Sequence, residues 1–229
     1  MYIYPSFSGS FVFSELLKLG DKLPYGKVRM SWAQVGSDTD PYQLGLVYTK
    51  SKFAYPGYTI GYISNGTIPN KDLKPTKTNS FEMGLELKFL KNRIGLDFTY
   101  YSQLSKNQIM GMASSSTSGY GYRLINAGEI ENKGVEIALN TRPIQTKDFS
   151  WDLNFNFSKN SNKVKKLVDD MDMFELEKAT WLDVQVAAKV GENFGSIVGP
   201  DFQRNENGDI LIDPSTGLPM YDKSNHVLG

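Results

Sequence analysis

The 229-residue chain contains no cysteine and only one histidine. Disulfide frameworks, thiolate metal sites and cysteine nucleophiles are therefore excluded together, and imidazole chemistry is left to His226 alone. Nor is there an excess of charge of either sign: 25 basic residues balance 25 acidic ones, so the electrostatic footprint of a nucleic-acid binder is missing. No apolar run approaches the roughly 18 residues that a membrane-spanning helix requires, and mean hydropathy is negative. Phosphate-cradling G-x-x-x-x-G-K-[ST] runs and zinc-ligand spacings do not occur. The chain opens directly on a strand-like run over residues 2–13, without a basic region, apolar core and cleavage site. A natural N-terminus lying further upstream is the expectation.

What the sequence does contain is period-two alternation. Over residues 80–101, Phe81, Met83, Leu85, Leu87 and Phe89 alternate with Ser80, Glu82, Gly84, Glu86 and Lys88. After the short turn Leu90-Lys91-Asn92, Ile94, Leu96, Phe98 and Tyr100 alternate with Arg93, Gly95, Asp97, Thr99 and Tyr101. Two strands of about ten residues, each with one apolar face and one charged face, have the length and period of a membrane-spanning β-hairpin. The negative hydropathy is compatible with this, because only alternate residues of such strands need be apolar. Tyrosine and phenylalanine are abundant, 13 of each, and several lie near strand ends, where amphipathic rings suit the boundary of lipid and water.

The design recurs twice. Phe7, Phe11 and Phe13 return through Val28, Met30 and Trp32, and Val135, Ile137 and Leu139 face Trp151, Leu153, Phe155 and Phe157 across a turn at residues 143–148. The sequence thus predicts an all-β fold: an antiparallel up-and-down meander forming part of a large transmembrane β-barrel. Its hairpins fall at about 2–36, 78–104 and 132–160, its long loops at about 37–77, 105–131 and 161–229. Short turns on one side and long loops on the other match the asymmetry of outer-membrane barrels. Asn207-Gly208 and Thr216-Gly217, flanking Ile210, Leu211 and Ile212, predict a small hairpin inside the last loop.

Candidates for chemistry are few. His226 has no serine or carboxylate constellation readable from spacing and reads as an exposed loop residue. The acidic run Asp169-Asp170-Met171-Asp172 reads as a solvated face. Residues 203–208 brush against a calcium loop but place Gln203 where an aspartate is needed and Pro214 where the closing glutamate belongs. No catalytic residue, cofactor or metal is expected, and the chain does not read as an enzyme. Loop aromatics are the better binding candidates, because flat rings with polar edges stack on sugars or peptide side chains while remaining wet. They are Tyr42 and Tyr58 in the first loop, Tyr120 and Tyr122 in the second, and Trp181 and Phe194 in the third.

One motif goes further. The run Asn126-Ala127-Gly128-Glu129-Ile130-Glu131-Asn132-Lys133-Gly134-Val135-Glu136 resembles the N-x-G…N-K-G-x-E entry to a barrel strand in SusC/RagA-type TonB-dependent outer-membrane transporters. Asn126, Gly128, Asn132, Lys133, Gly134 and Glu136 carry that match. Val35-Gly36 with Asp40-Pro41-Tyr42, Leu73-Lys74-Pro75 ahead of Phe81-Glu82-Met83-Gly84, and residues 190–197 agree with it in order. Thr76 departs from it, since family members often carry glutamate there. The resemblance implies an outer-membrane barrel that imports oligosaccharides or peptides with a SusD-like surface lipoprotein as lid, driven by the TonB system through a plug. Signal peptide, plug and most of the barrel strands would lie outside this chain. The competing expectation is a secreted or surface β-sandwich that binds or adheres, with a β-scaffold carbohydrate enzyme a weaker third.

Overall fold

Period-two alternation becomes a register of side-chain rows in the computed structural model, which describes residues 3–20, 23–39, 44–45, 48–52, 56–63, 66–168, 171–179 and 183–228. The strands in chain order are β1 (Ser6–Val12), β2 (Tyr25–Ser37), β3 (Tyr48–Lys50), β4 (Gly61–Ile63), β5 (Thr67–Ile68), β6 (Thr76–Phe89), β7 (Ile94–Lys106), β8 (Ile109–Ala113), β9 (Tyr122–Asn126), β10 (Gly128–Gln145), β11 (Ser150–Leu167), β12 (Met173–Lys178), β13 (Gln185–Lys189), β14 (Phe194–Phe202) and β15 (Tyr221–Val227). Two compact units result, Met1–Ser161 and Asn162–Gly229.

The first unit is built on a six-stranded sheet in the order β1-β2-β6-β7-β10-β11. Each neighbouring pair whose register is resolved is antiparallel. Val28 sits opposite Leu85, Leu85 opposite Phe98, and Phe98 opposite Ile137. One row further on, Gly26, Leu87, Leu96 and Leu139 align in the same way. Side chains two residues apart share a face, so these rows form one continuous apolar face. The alternate rows hold Lys27, Glu86, Asp97 and Ala138, and Arg29, Gly84, Thr99 and Glu136. On β6 the apolar face runs over nine residues, from Phe81 to Phe89, about 26 Å along the strand at roughly 3.3 Å per residue. At a strand tilt of about 40° this spans about 20 Å of membrane thickness, most of the roughly 25 Å lipid-facing band.

Among the described residues of the first unit, no second layer covers that face. Phe7 is 76%, Trp32 41% and Phe155 59% exposed, the reverse of what a sandwich core requires. This overturns the β-sandwich expectation and leaves the barrel-wall fold. The turn between β6 and β7 places Leu90, Lys91 and Asn92 consecutively in the left-handed region, with φ of 51, 56 and 66°, so a tight reversal is made without glycine.

Several connections are more structured than the loops expected. Between β1 and β2 lies one helical turn, α1 (Phe13–Leu17), ended by left-handed Lys18. The 37–77 stretch contains the β3–β4 pair and β5, and the 105–131 stretch contains β8 and β9, which join β5 in a three-stranded sheet ordered β5-β9-β8. The predicted small hairpin is present as antiparallel bridges Arg204–Ile210 and Ile212–Pro219.

The second unit, expected as loop, contains a four-stranded sheet in the order β12-β13-β14-β15. It has a small core of its own: Val164, Leu167, Phe174, Ala187, Ala188 and Val198 are all buried.

Candidate functional site

Charges along the polar face of the six-stranded sheet are arranged in pairs. The Arg29 guanidinium donates to both oxygens of Asp97, at 3.0 and 2.9 Å, and to Thr99 Oγ1 at 2.6 Å. Glu82 lies 3.9 Å from Arg29 Nε. Arg29 starts on β2, Glu82 stands on β6, and Asp97 and Thr99 stand on β7, so the side chain must cross β6 to reach the last two. It does so over Gly84, where a Cβ would overlap the arginine stem and guanidinium. A glycine in a strand interior thus has a packing reason, and Thr99, only 9% exposed, is buried beneath the arginine.

Beside this bridge is a recess of about 520 Å³ lined by Arg29, Asp97, Thr99, Glu136, Asn140 and Asn156. A second, of about 570 Å³, lies toward the short turns and is lined by Lys88, Arg93, Arg142, Asp152 and Asn154. There Arg142 pairs with Asp152 at 2.6 Å. A wall polar on one face and apolar on the other, with its charges cross-linked in pairs, separates water from lipid.

The six motif residues serve the wall and its loop-side edge. Asn126, the last residue of β9, donates through Nδ2 to the carbonyls of Lys74 and Asn107, at 2.7 and 3.0 Å, and accepts the Lys74 N–H at 2.8 Å. Two segments quoted for the resemblance, 73–75 and 126–136, are therefore joined by one side chain. Gly128 opens β10 with φ +148°, a backbone angle that essentially only glycine adopts. A Cβ on Gly134 would overlap the Lys159 carbonyl and the Tyr101 phenol, so this glycine permits close strand approach. Lys133 pairs with Glu131 at 3.2 Å, Glu136 lines the first recess, and Asn132 Oδ1 is buried without a hydrogen-bond partner.

The aromatic candidates are dispersed. Tyr42 and Trp181 lie outside the described residues, as do Asp40, Pro41, Asp169 and Asp170. Tyr58 is strongly exposed, and Tyr122 half-exposed. Tyr120 precedes β9, with its N–H bonded to Ser118 Oγ. Tyr122 pairs in parallel with Thr67 of the first loop. Phe194 opens β14 in the second unit.

His226 departs from expectation. It lies in β15 rather than a loop, with Nε2 2.7 Å from Ser224 Oγ and 3.0 Å from Asp222 Oδ2. Serine and carboxylate both meet the same ring nitrogen, whereas a nucleophile relay places them on opposite nitrogens. The cluster is an exposed polar contact, not an activated hydroxyl. The Ser224 backbone N–H, then its hydroxyl, then His226 hold the Asp222 carboxyl down at about 2 from 3.8. Residues two and four positions before His226 share its side of a strand, so this cluster could have been read from spacing. Among the described residues no group of three His, Asp or Glu side chains is arranged to hold a metal.

Comparison with known proteins agrees with this geometry. The sequence pattern of the family described as "TonB dependent receptor-like, beta-barrel" matches residues 4–202. TonB-dependent receptor P3 of Formosa agariphila is 31% identical over 196 residues, 82% of this chain and 19% of that protein. TonB-dependent receptor SusC of Bacteroides thetaiotaomicron is 31% identical over 156 residues, 65% of this chain and 16% of that protein. Among solved structures, the RagAB peptide importer in its closed-closed state superposes with a TM-score of 0.76 at 18% identity, over 96% of this chain and 24% of that one. The chain thus spans about a fifth of the length of these relatives.

Proposed function

This chain belongs to the TonB-dependent receptor β-barrel family, and we propose on that premise that it forms wall and outer loops of an importer for oligosaccharides or peptides. In this reading a SusD-like surface lipoprotein delivers cargo at the loop side, and the TonB system acts through a plug domain outside this chain. The barrel segment is an outer-membrane one, multi-pass and made of strands.

The observation that carries the reading is the pairing of an uncovered apolar face with a polar face whose charges bridge strands. The first needs lipid and the second needs water, and a barrel wall is where one sheet meets both. The cargo classes follow the relatives: one is named SusC, and another is titled a peptide importer. Asn140, Asn154, Asn156 and the paired charges offer hydrogen bonds that suit hydroxyls and amides alike. In the loops, Tyr58, Tyr120 and Tyr122, and Phe194 of the second unit, supply stacking faces, with Tyr42 and Trp181 as further candidates.

The test is uptake by cells carrying the reading frame that contains this chain. Radiolabelled oligosaccharides and peptides are offered in parallel, with and without TonB. TonB-dependent accumulation of one class is expected, and its loss on deleting the neighbouring lipoprotein identifies the partner. Uptake of neither class, or uptake that persists without TonB, would overturn the proposal.

A further inference from the structure

We propose that Asn126 is a positioning residue that locks the first and second outer connections into a single body. Such a lock is independent of which cargo is carried.

A primary amide offers two N–H donors and a carbonyl acceptor. Asn126 uses all three on the main chain: Lys74 N–H, Lys74 carbonyl and Asn107 carbonyl. Taking both the N–H and the carbonyl of one residue is what a neighbouring strand does in an antiparallel ladder. Asn126 therefore stands in for a strand at the place where the ladder stops. Lys74 leads into β6, Asn107 follows β7, and Asn126 precedes β10, so one side chain ties three segments bordering the sheet.

The same edge is stitched on either side. Thr76 Oγ1 also donates to the Asn107 carbonyl, at 3.1 Å. Asn107 itself is left-handed, with φ 56°, which turns the chain from β7 into β8. The Ala127 N–H reaches the Gln108 carbonyl at 2.6 Å, and Ala127 is almost fully buried. Beyond the joint, the Gly66 carbonyl accepts from the N–H groups of Gly121 and Tyr122, at 2.6 and 3.1 Å, and β5 pairs with β9. Residues 66–75 and 107–126 thus share a sheet at their outer end and an amide clamp at their base. Two attachments at separated points prevent hinging of one loop against the other, so the two connections move together, and Tyr120 and Tyr122 move with the first loop.

The test uses the whole protein in the outer membrane, with trypsin added outside and fragments mapped by mass spectrometry. Lys71 in the first connection and Arg123 in the second are the reporter sites. Asn126→Asp is nearly isosteric but turns two donors into an acceptor facing two carbonyls. Cleavage at both reporters should rise together by about tenfold or more, the scale set by losing hydrogen bonds and leaving partners unpaired. Asn107→Gly keeps the carbonyl and the left-handed backbone and should leave both rates within about twofold. Heat-modifiable migration on gels reports whether the barrel is intact. A rise at one reporter only, no rise at either, or an equal rise in Asn107→Gly would overturn the proposal.

A second experiment does not depend on the aspartate variant folding. Thr67→Cys with Tyr122→Cys introduces a thiol pair into a stretch without cysteine. An oxidised pair should form readily in the otherwise native protein and protect Lys71 and Arg123 together. Failure to cross-link, or protection of one reporter alone, would show that the two connections are separate.

Discussion

The six-stranded sheet on which the first unit is built and the four-stranded sheet of the second unit solve one problem in opposite ways. Both are antiparallel, and both carry apolar side chains. In the smaller sheet those side chains turn inward: Phe174, Ala187, Ala188 and Val198 are buried, as burial of apolar area in water demands. Among the described residues of the larger sheet the buried hydrophobic side chains are Val164 and Leu167, both at the end of β11 that enters the second unit, while elsewhere phenylalanines, methionines, leucines and tryptophans stand uncovered. The difference between the two is one of solvent. The smaller sheet must supply its own oil, whereas the larger one is shaped to have lipid supplied to it. Charge follows the same division, with Arg29 spending its hydrogen bonds on Asp97 and Thr99 across the polar face.

The largest effect that could break this comparison comes from placing a charge in the apolar rows. Leu96→Arg should destabilise folding into bilayers by about 2–4 kcal/mol, while Asn156→Arg on the polar face should cost less than about 1 kcal/mol. Equal losses in equilibrium folding into lipid vesicles would remove the assignment of faces. Next in size, Val198→Ala in the smaller core should cost roughly 2 kcal/mol through lost burial and a residual cavity. That cost should be the same in lipids of different chain length, as read by hydrogen exchange along β13; a lipid-dependent cost would erase the distinction between the two sheets.

Smaller still is the arginine bridge. Arg29→Met should cost about 1 kcal/mol, because the pair is only partly shielded from water. Gly84→Ala should hurt the native protein by displacing Arg29 and be nearly silent in the Arg29→Met background. Additive effects in that double-mutant cycle would mean that the glycine is not there for the arginine. The smallest effect lies in the second unit. With its folded value near 2 and its ordinary value at 3.8, Asp222 supports β15 fully above pH 3.8 and loses that support as pH falls toward 2. Ser224→Ala should raise the Asp222 midpoint in a carboxyl NMR titration, and an unchanged midpoint would refute the contact.

The sheet of the first unit was readable because its strands are long and alternate strictly, so Phe81, Leu85, Ile94, Leu96 and Phe98 declare a face with no knowledge of partners. The second unit hides because its strands are short. In β13 the consecutive residues Ala187 and Ala188 are both buried, which erases the alternation that marks a strand. Thr99 reads as an ordinary wet position, yet it lies buried under an arginine 70 residues away in sequence. Asn126 shows the same limit from the other side. Its membership of a motif was visible, but its grip on Lys74, 52 residues earlier, follows only from the strand order that puts the β6 entry and the β10 entry on either side of the end of β7.

The length of β10 has a mechanical consequence. Its outward apolar residues begin at Val135, while the strand itself begins at Gly128, and its outward positions between them are Glu129, Glu131 and Lys133. At roughly 3.3 Å per residue and a tilt near 40°, residues 128–135 raise the wall by roughly 18 Å beyond the oil. Rungs broken inside hydrocarbon have nothing to replace them, but rungs broken in this collar exchange their partner for water at little net cost. The ladder of β10 can therefore loosen above the lipid while its rungs within the apolar rows stay paired.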